Sequence, residues 1–295
     1  MSDGGPEREA IDGSLASRLV AGQVPEFANL PVRSVSRSGW DNRTFHLGDD
    51  YLLRFPSTAD YVGQVAKGQR WLPRLAPQLP LPIPIPVRLG DATDEFPRAW
   101  SIYRRLPDED LIAAPVDTNL LATDLGRFLA ALYALPAADG PPPGAHNFMR
   151  GAHPEVYDGA TRRALARLAN PALATASEAI WEAALATRWS REPVWLHGDV
   201  AAGSLLQTEG LLSAVIDFGC CSVGDPACDL AFAWTDLSGG ARKTFLAGTG
   251  LDADTALRGA AWALWKALIT WTRPGSGAAA EGPARVVRVI VDHHA

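Results

Sequence analysis

The chain carries the sequence Leu196-His197-Gly198-Asp199, then Gly203-Ser204, and then Val215-Ile216-Asp217-Phe218-Gly219, and these stretches decide its fold. Each aspartate closely follows a short apolar segment that predicts a β-strand. Carboxylates at the tips of loops after short strands can converge on one cleft. There, Asp199 would lie within reach of a substrate hydroxyl as a proton acceptor. Asp217 would bind Mg²⁺, which prefers hard oxygen ligands.

Either stretch alone is an ordinary turn sequence, so their combination matters more than each part. The two aspartates are 18 residues apart, and Gly224-Asp225-Pro226 and Asp229 follow closely. Asp225 before Pro226 predicts a helix N-cap with proline at the first helical position. We expect Asp229 to brace the first loop and His197 to orient it through backbone hydrogen bonds.

The composition indicates a globular protein with two cores. At 295 residues the chain is long enough for two lobes that share a cleft. A hydrophobic content of 47% with 20% charged residues argues against a disordered chain. The formal net charge of -6 argues against nucleic-acid binding and suits a cationic ligand.

The sequence also predicts where the protein works. Cys220, Cys221 and Cys228 form no disulfide framework, which indicates a reducing compartment, and we interpret them as buried, inert thiols. The start of the chain has no basic segment followed by an apolar run, so we expect no signal peptide. The apolar stretch 256–272 contains charges and is too short to cross a membrane, so it predicts a buried helix. We therefore expect a cytoplasmic monomer or homodimer that binds neither nucleic acid nor membrane.

Hydrophobic periodicity divides the chain into a strand-rich front and a helix-rich back. Predicted strands lie at residues 32–35, 43–47, 51–55, 99–106, 194–196 and 214–217. The prolines of residues 79–87 fix an extended segment that is neither helix nor central strand. Predicted helices lie at residues 8–22, 59–72 (ended by Pro73), 119–135, 161–168, 174–189, 232–236, 241–247 and 256–272. This order predicts an α+β, two-lobe fold, with a small β-rich N-lobe at residues 1–103, a hinge at 104–108 and a larger helical C-lobe at 109–295.

The chain resembles bacterial aminoglycoside phosphotransferases and related small-molecule kinases such as choline kinases. The two aspartate motifs carry most of this resemblance, which covers nearly the whole chain. Gly39-Trp40-Asp41-Asn42-Arg43-Thr44-Phe45 resembles the family's nucleotide-binding hairpin, and Tyr51-Leu52-Leu53-Arg54-Phe55-Pro56 resembles its third strand. The resemblance implies a protein-kinase-like fold. It also implies transfer of the γ-phosphate of ATP or GTP, bound with Mg²⁺, to a hydroxyl of a small molecule.

The resemblance implies roles for residues of the first lobe. Arg54 takes the place of the strand cation that pairs with nucleotide phosphates, and the alternative is a surface cation on an edge strand. Asn42 would lie over the phosphates, unless its segment is a plain hairpin. Residues 103–106, which include Tyr103 and Arg105, would form the hinge that holds adenine through backbone N–H and C=O groups.

The loop after Asp199 departs from the family pattern. The family places an asparagine five residues after the aspartate, and its amide oxygen binds Mg²⁺, whereas this chain has Ser204. A serine hydroxyl can also bind Mg²⁺, although it is shorter than asparagine and reaches less far. Ser204 is thus predicted to be an auxiliary metal ligand beside Asp217.

The helix after the third strand also departs from the pattern. The family presents a glutamate to the strand cation, but this chain has no acid at residues 61–90 and has Ala66-Lys67-Gly68 at the expected place. Arg54 would therefore lack its usual ion-pair partner. Gln64 or Gln69 could hold it only through neutral hydrogen bonds, which are weaker than charge-assisted ones.

Two functions follow from these observations. The first is an ATP- or GTP-dependent phosphotransferase for an aminoglycoside or another antibiotic-like or metabolic alcohol. Its acceptor pocket would be lined by Glu155, Asp158, Asp236 and the region of Trp234. The alternative is a pseudokinase that binds a nucleotide or another ligand without turnover, because of Ser204 and the missing glutamate. Retention of both motif aspartates favours the enzyme.

Overall fold

The structure is a computed structural model that describes residues 5–35, 39–106, 109–110, 116–275 and 277–294. It contains two compact units. Unit 1 is formed by the described residues up to Glu109 together with Ser213–Gly219. Unit 2 is formed by the described residues of Asp110–Leu212 and Cys220–Ala295. The predicted hinge at 104–108 stays a prediction, since its residues 107 and 108 lie outside the described part of the chain.

Unit 1 is built on a five-stranded antiparallel sheet with the strand order β1-β2-β3-β5-β4. Its strands are β1 (Val32–Ser34), β2 (Asn42–Leu47), β3 (Tyr51–Pro56), β4 (Pro86–Gly90) and β5 (Trp100–Arg104). Alternating residues of β2 and β3 are buried in a core with helix α1 (Gly13–Gln23). In that core the ring of Phe55 stacks on Trp100 with centroids 5.0 Å apart. Because β3 lies at the centre of the sheet, the residues it carries are fixed by neighbours on both sides.

Two helix boundaries in unit 1 differ from the prediction. Residues 8–10 form a single 3₁₀ turn, and α1 starts at Gly13 because the carboxylate of Asp12 accepts the N–H of Leu15 as an N-cap. Helix α2 (Val62–Leu75) passes through Pro73, so the prediction that Pro73 ends the helix is wrong. Pro73 lies close to the C-terminal end, where a missing N–H removes one hydrogen bond and few residues follow.

The proline-rich segment behaves as expected from its composition. Residues 79–85 belong to no helix or strand, and Pro86 begins β4 at one edge of the sheet. Proline cannot donate to a ladder, so it is tolerated at an edge and not in a central strand.

Unit 2 is mainly helical, and its elements begin with the two-residue strand β6 (Glu109–Asp110), which spans the boundary between the units. The helices are α3 (Thr118–Tyr133), α4 (Asp158–Leu165), α5 (Pro171–Leu185), α6 (Phe232–Thr235), α7 (Gly239–Gly248), α8 (Ala253–Trp271) and α9 (Glu281–His294). The other strands are β7 (Val194–Leu196), β8 (Leu205–Thr208), β9 (Leu211–Val215) and β10 (Ser222–Gly224), and β9 ends in unit 1. Strand β10 pairs antiparallel with β7. An antiparallel sheet followed by a helical region confirms the predicted α+β class.

A buried ion pair fixes the centre of unit 2. Arg258 of α8 is 1% exposed, and its Nε donates to Oδ2 of Asp225 at 2.7 Å. The other carboxylate oxygen of Asp225 accepts the N–H of Ala227, and Pro226 stands at the first position of the turn that follows. The prediction that Asp225 is an N-cap is therefore confirmed.

Of the apolar stretch predicted as a helix at 256–272, residues 256–271 belong to α8, and most of them are buried in unit 2. In the described ranges, every helix falls short of the length and apolarity that crossing a bilayer requires.

We expect the substitution Asp225→Ala to lower the free energy of unfolding by about 3–5 kcal/mol, because it leaves the Arg258 charge buried without its partner. Urea denaturation measures this loss. The control Asp49→Ala removes an exposed partner of Arg33 and should change the free energy of unfolding far less, because solvent screens exposed ion pairs. Equal losses in the two variants would contradict a special role for the buried pair.

Candidate active site

Asp217 lies two residues after β9 and adopts a left-handed backbone conformation, with a φ of 67°. Residues other than glycine rarely adopt this conformation, and positions that keep it are often functional. The predicted strand at 214–217 therefore ends early, at Val215. The turn presents the carboxylate to Arg54 of β3, whose Nη2 lies 3.0 Å from Oδ1 of Asp217.

Arg54 is a largely buried cation at the centre of the unit 1 sheet. Its side chain is 24% exposed, and its guanidinium lies 5.7 Å from the centroid of the Tyr103 ring. Burial alone would lower the pKa of Arg54, but the negative charge of Asp217, with smaller effects from Tyr103 and Asp41, leaves that pKa raised. The alternative that Arg54 is a surface cation on an edge strand is therefore wrong.

Arg54 has an ion-pair partner that the sequence did not indicate. Its carboxylate partner comes from the segment after β9, so Arg54 has an ion pair that does not depend on an acid of α2. Gln64 donates from Nε2 to Oδ2 of Asp41 at 3.2 Å. Gln69 donates from Nε2 to Oγ of Ser101 at 3.0 Å. Both glutamines are thus used in other contacts of unit 1.

Helix α2 contacts the segment that carries Asp217 through a residue that sequence reasoning missed. The ammonium of Lys67 donates to the carbonyl oxygen of Gly219 at 2.6 Å, and Lys67 is 7% exposed. A Cβ on Gly219 would lie 2.5 Å from Oε1 of Gln64, so the end of the Gln64 side chain approaches this backbone closely. Gln64 and Lys67 are three positions apart and share one helix face. The available signal was a lysine within the three residues that replace the family glutamate.

A cavity in unit 1 contains several of the predicted nucleotide-binding residues. Its volume is about 430 Å³, including its open mouth. The lining is mixed polar and apolar and comprises Asn42, Arg54, Gln64, Val65, Gly68, Leu72, Pro84, Ser101, Tyr103, Phe218 and Gly219. The lining thus combines one cation, Arg54, with polar and apolar side chains.

The predicted hinge contact of Arg105 meets a geometric obstacle. Its backbone N–H donates to the carbonyl of Asp50 at 2.7 Å, and its Nη1 donates to the carbonyl of Asp49. In this structure the N–H of Arg105 is therefore not available to a purine base. The neighbouring N–H of Arg104 also has a partner, the carbonyl of Ile85.

In unit 2, Asp199 lies in the loop after β7, and a buried carboxylate supports that loop. Asp229 is fully buried and accepts the N–H groups of His197 at 2.9 Å and Gly198 at 2.7 Å. Burial raises the pKa of Asp229, and these bonds only partly oppose that effect. Nδ1 of His197 accepts the N–H of Asp199. The predictions that Asp229 braces the loop and His197 orients it are confirmed.

The backbone at Gly198 explains why the loop needs its glycine. Gly198 has a φ of 87°, and a Cβ there would lie 2.4 Å from the carbonyl oxygen of Cys220. Its own carbonyl accepts Nε of Arg150 at 2.8 Å. The Arg150 guanidinium also lies 5.0 Å from the ring centroid of Trp262. Sequence reasoning missed Arg150, because nothing local to it indicates a contact with a loop 48 residues away.

The result is a loop whose backbone is fixed while its functional group is exposed. Asp199 is an exposed residue. Within the described part of unit 2, no hydrogen bond or ion pair reaches its carboxylate. A carboxylate that is held in place but not engaged can accept a proton from an approaching hydroxyl.

Ser204 has a structural role in the same loop. Its Oγ accepts the N–H of Ala201 at 3.0 Å and lies 2.8 Å from the carbonyl of Ala201 and 3.2 Å from that of Asp199, to which it can donate. Ser204 is also 4% exposed. A metal would have to displace these contacts, so the loop uses the hydroxyl that we predicted as an auxiliary ligand.

The acids predicted to line an acceptor pocket have partners within unit 2. Asp158 accepts Nε of Arg162 at 2.9 Å and Nε1 of Trp181 at 2.8 Å. Glu155 pairs with Arg188 at 3.1 Å. The hydrogen bond from Arg162 holds the pKa of Asp158 below its ordinary value. These contacts give the acids a part in joining helices, and their role towards an acceptor stays a prediction.

The other two residues predicted to line the acceptor pocket are Asp236 and Trp234, and they differ in exposure. Burial raises the pKa of Asp236, and its Oδ2 accepts the Thr235 hydroxyl at 2.5 Å. Trp234 is 1% exposed.

The three cysteines are buried free thiols, and burial raises the pKa of Cys228 well above its ordinary value, as expected for inert groups.

The described residues offer single carboxylates, and not a preformed cluster, as candidates for metal binding. Among the described residues, no group of three or more His, Cys, Asp and Glu side chains is arranged to hold a metal ion. Mg²⁺ in nucleotide sites needs only one or two carboxylates, because phosphates and water complete its coordination. The Asp217 carboxylate, 38% exposed beside Arg54, fits that kind of site.

A sequence model of the phosphotransferase enzyme family matches residues 33–268. That range includes most of β1, all of β2–β5 with Arg54, both motif aspartates and most of α8. The chain belongs to the phosphotransferase enzyme family. The resemblance inferred from the motifs is thereby confirmed. No curated protein is a significant match to the chain.

Solved structures of phosphotransferases share the fold. The GDP and kanamycin complex of APH(2")-IIia is 19% identical, with 95% of this chain and 98% of that chain covered and a TM-score of 0.73. Wild-type aminoglycoside 2'-phosphotransferase-IIIa with GDP is 18% identical, with coverages of 96% and 100% and a TM-score of 0.72. Macrolide 2'-phosphotransferase MphH from Brachybacterium faecium is 22% identical, with coverages of 95% and 97% and a TM-score of 0.60. These likenesses confirm the predicted kinase-like fold.

We expect Asp229→Asn to loosen the loop that carries Asp199. A carboxamide has one acceptor oxygen and would turn an N–H₂ group towards a backbone N–H. Loss of a charge-assisted bond should speed hydrogen exchange at His197 and Gly198 by about 10- to 100-fold. Exchange measured by mass spectrometry tests this.

The matched control is Asp236→Asn, which removes an acid that bonds its neighbour Thr235. It should leave exchange at His197 and Gly198 unchanged. Unchanged exchange in Asp229→Asn as well would contradict the bracing role of Asp229.

Proposed function

We propose that this protein transfers the γ-phosphate of a nucleoside triphosphate, ATP or GTP, to a hydroxyl of a small molecule. The observation that carries the proposal is the Asp199 loop, in which the backbone is fixed by Asp229 and Arg150 while the Asp199 carboxylate is exposed. Asp199 is the general base. It accepts the hydroxyl proton as the new oxygen–phosphorus bond forms.

The cavity of unit 1 supports the nucleotide part of the proposal. Arg54 binds the phosphates, Asn42 lies over them, and Tyr103 borders the site of the base, since all three line one cavity. Related structures support this assignment by their fold, because the neighbours named above include complexes with GDP. Phosphoryl transfer depends mostly on positioning and electrostatic stabilisation, which are tasks that such residues can perform.

Asp217 is the residue proposed to hold Mg²⁺ at the phosphates. When bound, Mg²⁺ neutralises charge on the phosphate oxygens and favours displacement of the leaving group. Arg54 and Asp217 occupy each other in the structure, so a nucleotide with its metal supplies a new partner to each. With both bound, Arg54 would turn from the carboxylate to the phosphates, and Asp217 would turn from the guanidinium to the metal.

The acceptor is proposed to be an aminoglycoside or another antibiotic-like or metabolic alcohol. Two neighbours are described with kanamycin and with streptomycin and ATP, and another is a macrolide 2'-phosphotransferase. The formal net charge of -6 suits a cationic acceptor. A transfer screen with γ-labelled ATP and GTP against aminoglycosides, macrolides and hydroxylated metabolites, at several Mg²⁺ concentrations, identifies the class. A nucleotide-binding protein that labels no acceptor would favour the pseudokinase alternative.

We expect Asp199→Asn to lower kcat by about 10²- to 10⁴-fold, because an amide cannot accept the hydroxyl proton. Nucleotide affinity measured by calorimetry should stay the same, since Asp199 does not bind phosphate in this scheme. The control Asp254→Asn alters an exposed acid of α8 and should leave both quantities unchanged. Transfer at the wild-type rate by Asp199→Asn would reject the mechanism.

We expect Arg54→Met to change Mg²⁺ and nucleotide binding in opposite directions. Without its cation partner, Asp217 should bind Mg²⁺ alone about tenfold more tightly, while ADP should bind about tenfold more weakly. Calorimetry with each ligand separately measures both. Arg33→Met, which removes an exposed partner of Asp49 in the same sheet, is the control. If Arg54→Met bound both Mg²⁺ and ADP more weakly, that result would contradict the proposed exchange of partners at Arg54 and Asp217.

A further inference from the structure

The ion pair between Arg54 and Asp217 cannot hold Asp217 in place throughout the proposed reaction. It occupies the carboxylate in the ligand-free structure. On the proposed function, the same carboxylate turns to a metal and Arg54 turns to phosphate. The Asp217-Phe218-Gly219 segment therefore needs an anchor that neither ligand displaces.

Lys67 supplies a contact of that kind. Its Nζ donates to the backbone carbonyl oxygen of Gly219 at 2.6 Å, which leaves the Asp217 side chain out of the contact. The distance is short, as is usual when one partner of a hydrogen bond is charged. Gln64 of the same helix also approaches this backbone closely, since its Oε1 lies 2.5 Å from the position that a Cβ on Gly219 would take. Phe218, which lies between Asp217 and Gly219 in the sequence, is 4% exposed.

The charge of Lys67 is costly if it only fills space. Lys67 is 7% exposed, and an ammonium that leaves water loses hydration unless it gains strong partners. A methionine would fill a similar volume in α2 without that cost. The position also lies within the three residues that replace the family glutamate. These observations favour a polar task for the ammonium over simple packing.

We propose that Lys67 is a positioning residue that fixes the Asp217-Phe218-Gly219 segment through the carbonyl of Gly219, so that Asp217 can exchange Arg54 for Mg²⁺ without moving its backbone. This inference rests on the proposed function for the role of Asp217. It gives α2 a task different from that of the missing glutamate. The helix holds the backbone of the metal-binding segment, while β3 and that segment supply the ion pair.

The first test is hydrogen exchange in the ligand-free protein. Lys67→Met removes the ammonium and keeps the apolar stem. Loss of a charge-assisted hydrogen bond should speed exchange across residues 217–221 by about tenfold, while the β2–β3 hairpin exchanges as in the wild type. Lys67→Arg, which keeps a donor, should restore most of the protection. Lys243→Met, a change at an exposed position of α7, is the control.

The second test is ADP binding with and without Mg²⁺. In Lys67→Met, the gain in ADP affinity that Mg²⁺ provides should fall by about tenfold, while ADP alone binds as in the wild type. Equal losses with and without Mg²⁺ would overturn the proposal, because Lys67 would then bind phosphate directly. Unchanged exchange in the first test would overturn it too. Thermal denaturation checks that each variant is folded.

The two tests separate this inference from the proposed function. Neither uses an acceptor or measures transfer, so a wild-type protein that transfers no phosphate refutes the enzymatic function alone. If the wild type binds no ADP, the exchange measurement still decides whether Lys67 anchors the segment. If exchange responds but the Mg²⁺ gain does not, Lys67 holds the backbone without positioning Asp217 for the metal, and the proposal fails.

Discussion

The ion pair between Arg54 and Asp217 is the constraint on which the proposed nucleotide site depends. A largely buried guanidinium in a central strand needs a negative partner, and here the partner is a carboxylate that the left-handed turn after β9 presents to it. This pairing satisfies both charges before any ligand arrives. On the proposed function, a bound nucleotide and its metal would replace this one ionic contact by two others.

The Asp199 loop is held by contacts of its main chain and not by an ion pair of its functional side chain. Its backbone N–H groups at 197 and 198 point to one buried carboxylate, Asp229, and its carbonyl at 198 accepts the Arg150 guanidinium. All of these contacts use main-chain atoms of the loop, so the side chain of Asp199 takes no part in holding the loop. Main-chain atoms thus stabilise the loop, while the Asp199 side chain is left for the proposed proton transfer. Ser204, which closes the loop onto itself, also stabilises it.

Local patterns in the sequence predicted what local physics determines. Alternating apolar residues indicated β2 and β3, and Asp225 before Pro226 indicated an N-cap, because each signal lies within a few residues. The two aspartates also predicted the family. The partner of Arg54 lies 163 residues away, and neither periodicity nor spacing reports a contact over that distance. Short β8 and β10 were missed for a similar reason, since three or four residues carry little periodic signal. The prediction that Pro73 ends α2 was wrong because the destabilisation caused by a proline depends on how close it lies to the end of the helix.

The two borders of the unit 1 sheet have a consequence for how copies of the protein meet in solution. One border strand, β1, is three residues long and carries Arg33, and the other, β4, starts at a proline and shifts register near Arg88. Open strand borders invite intermolecular strand addition, and brevity, charge, proline and irregular register all hinder it. The proline-rich run thus helps to keep a β-sheet protein from aggregating while a hydrophobic sheet is being assembled.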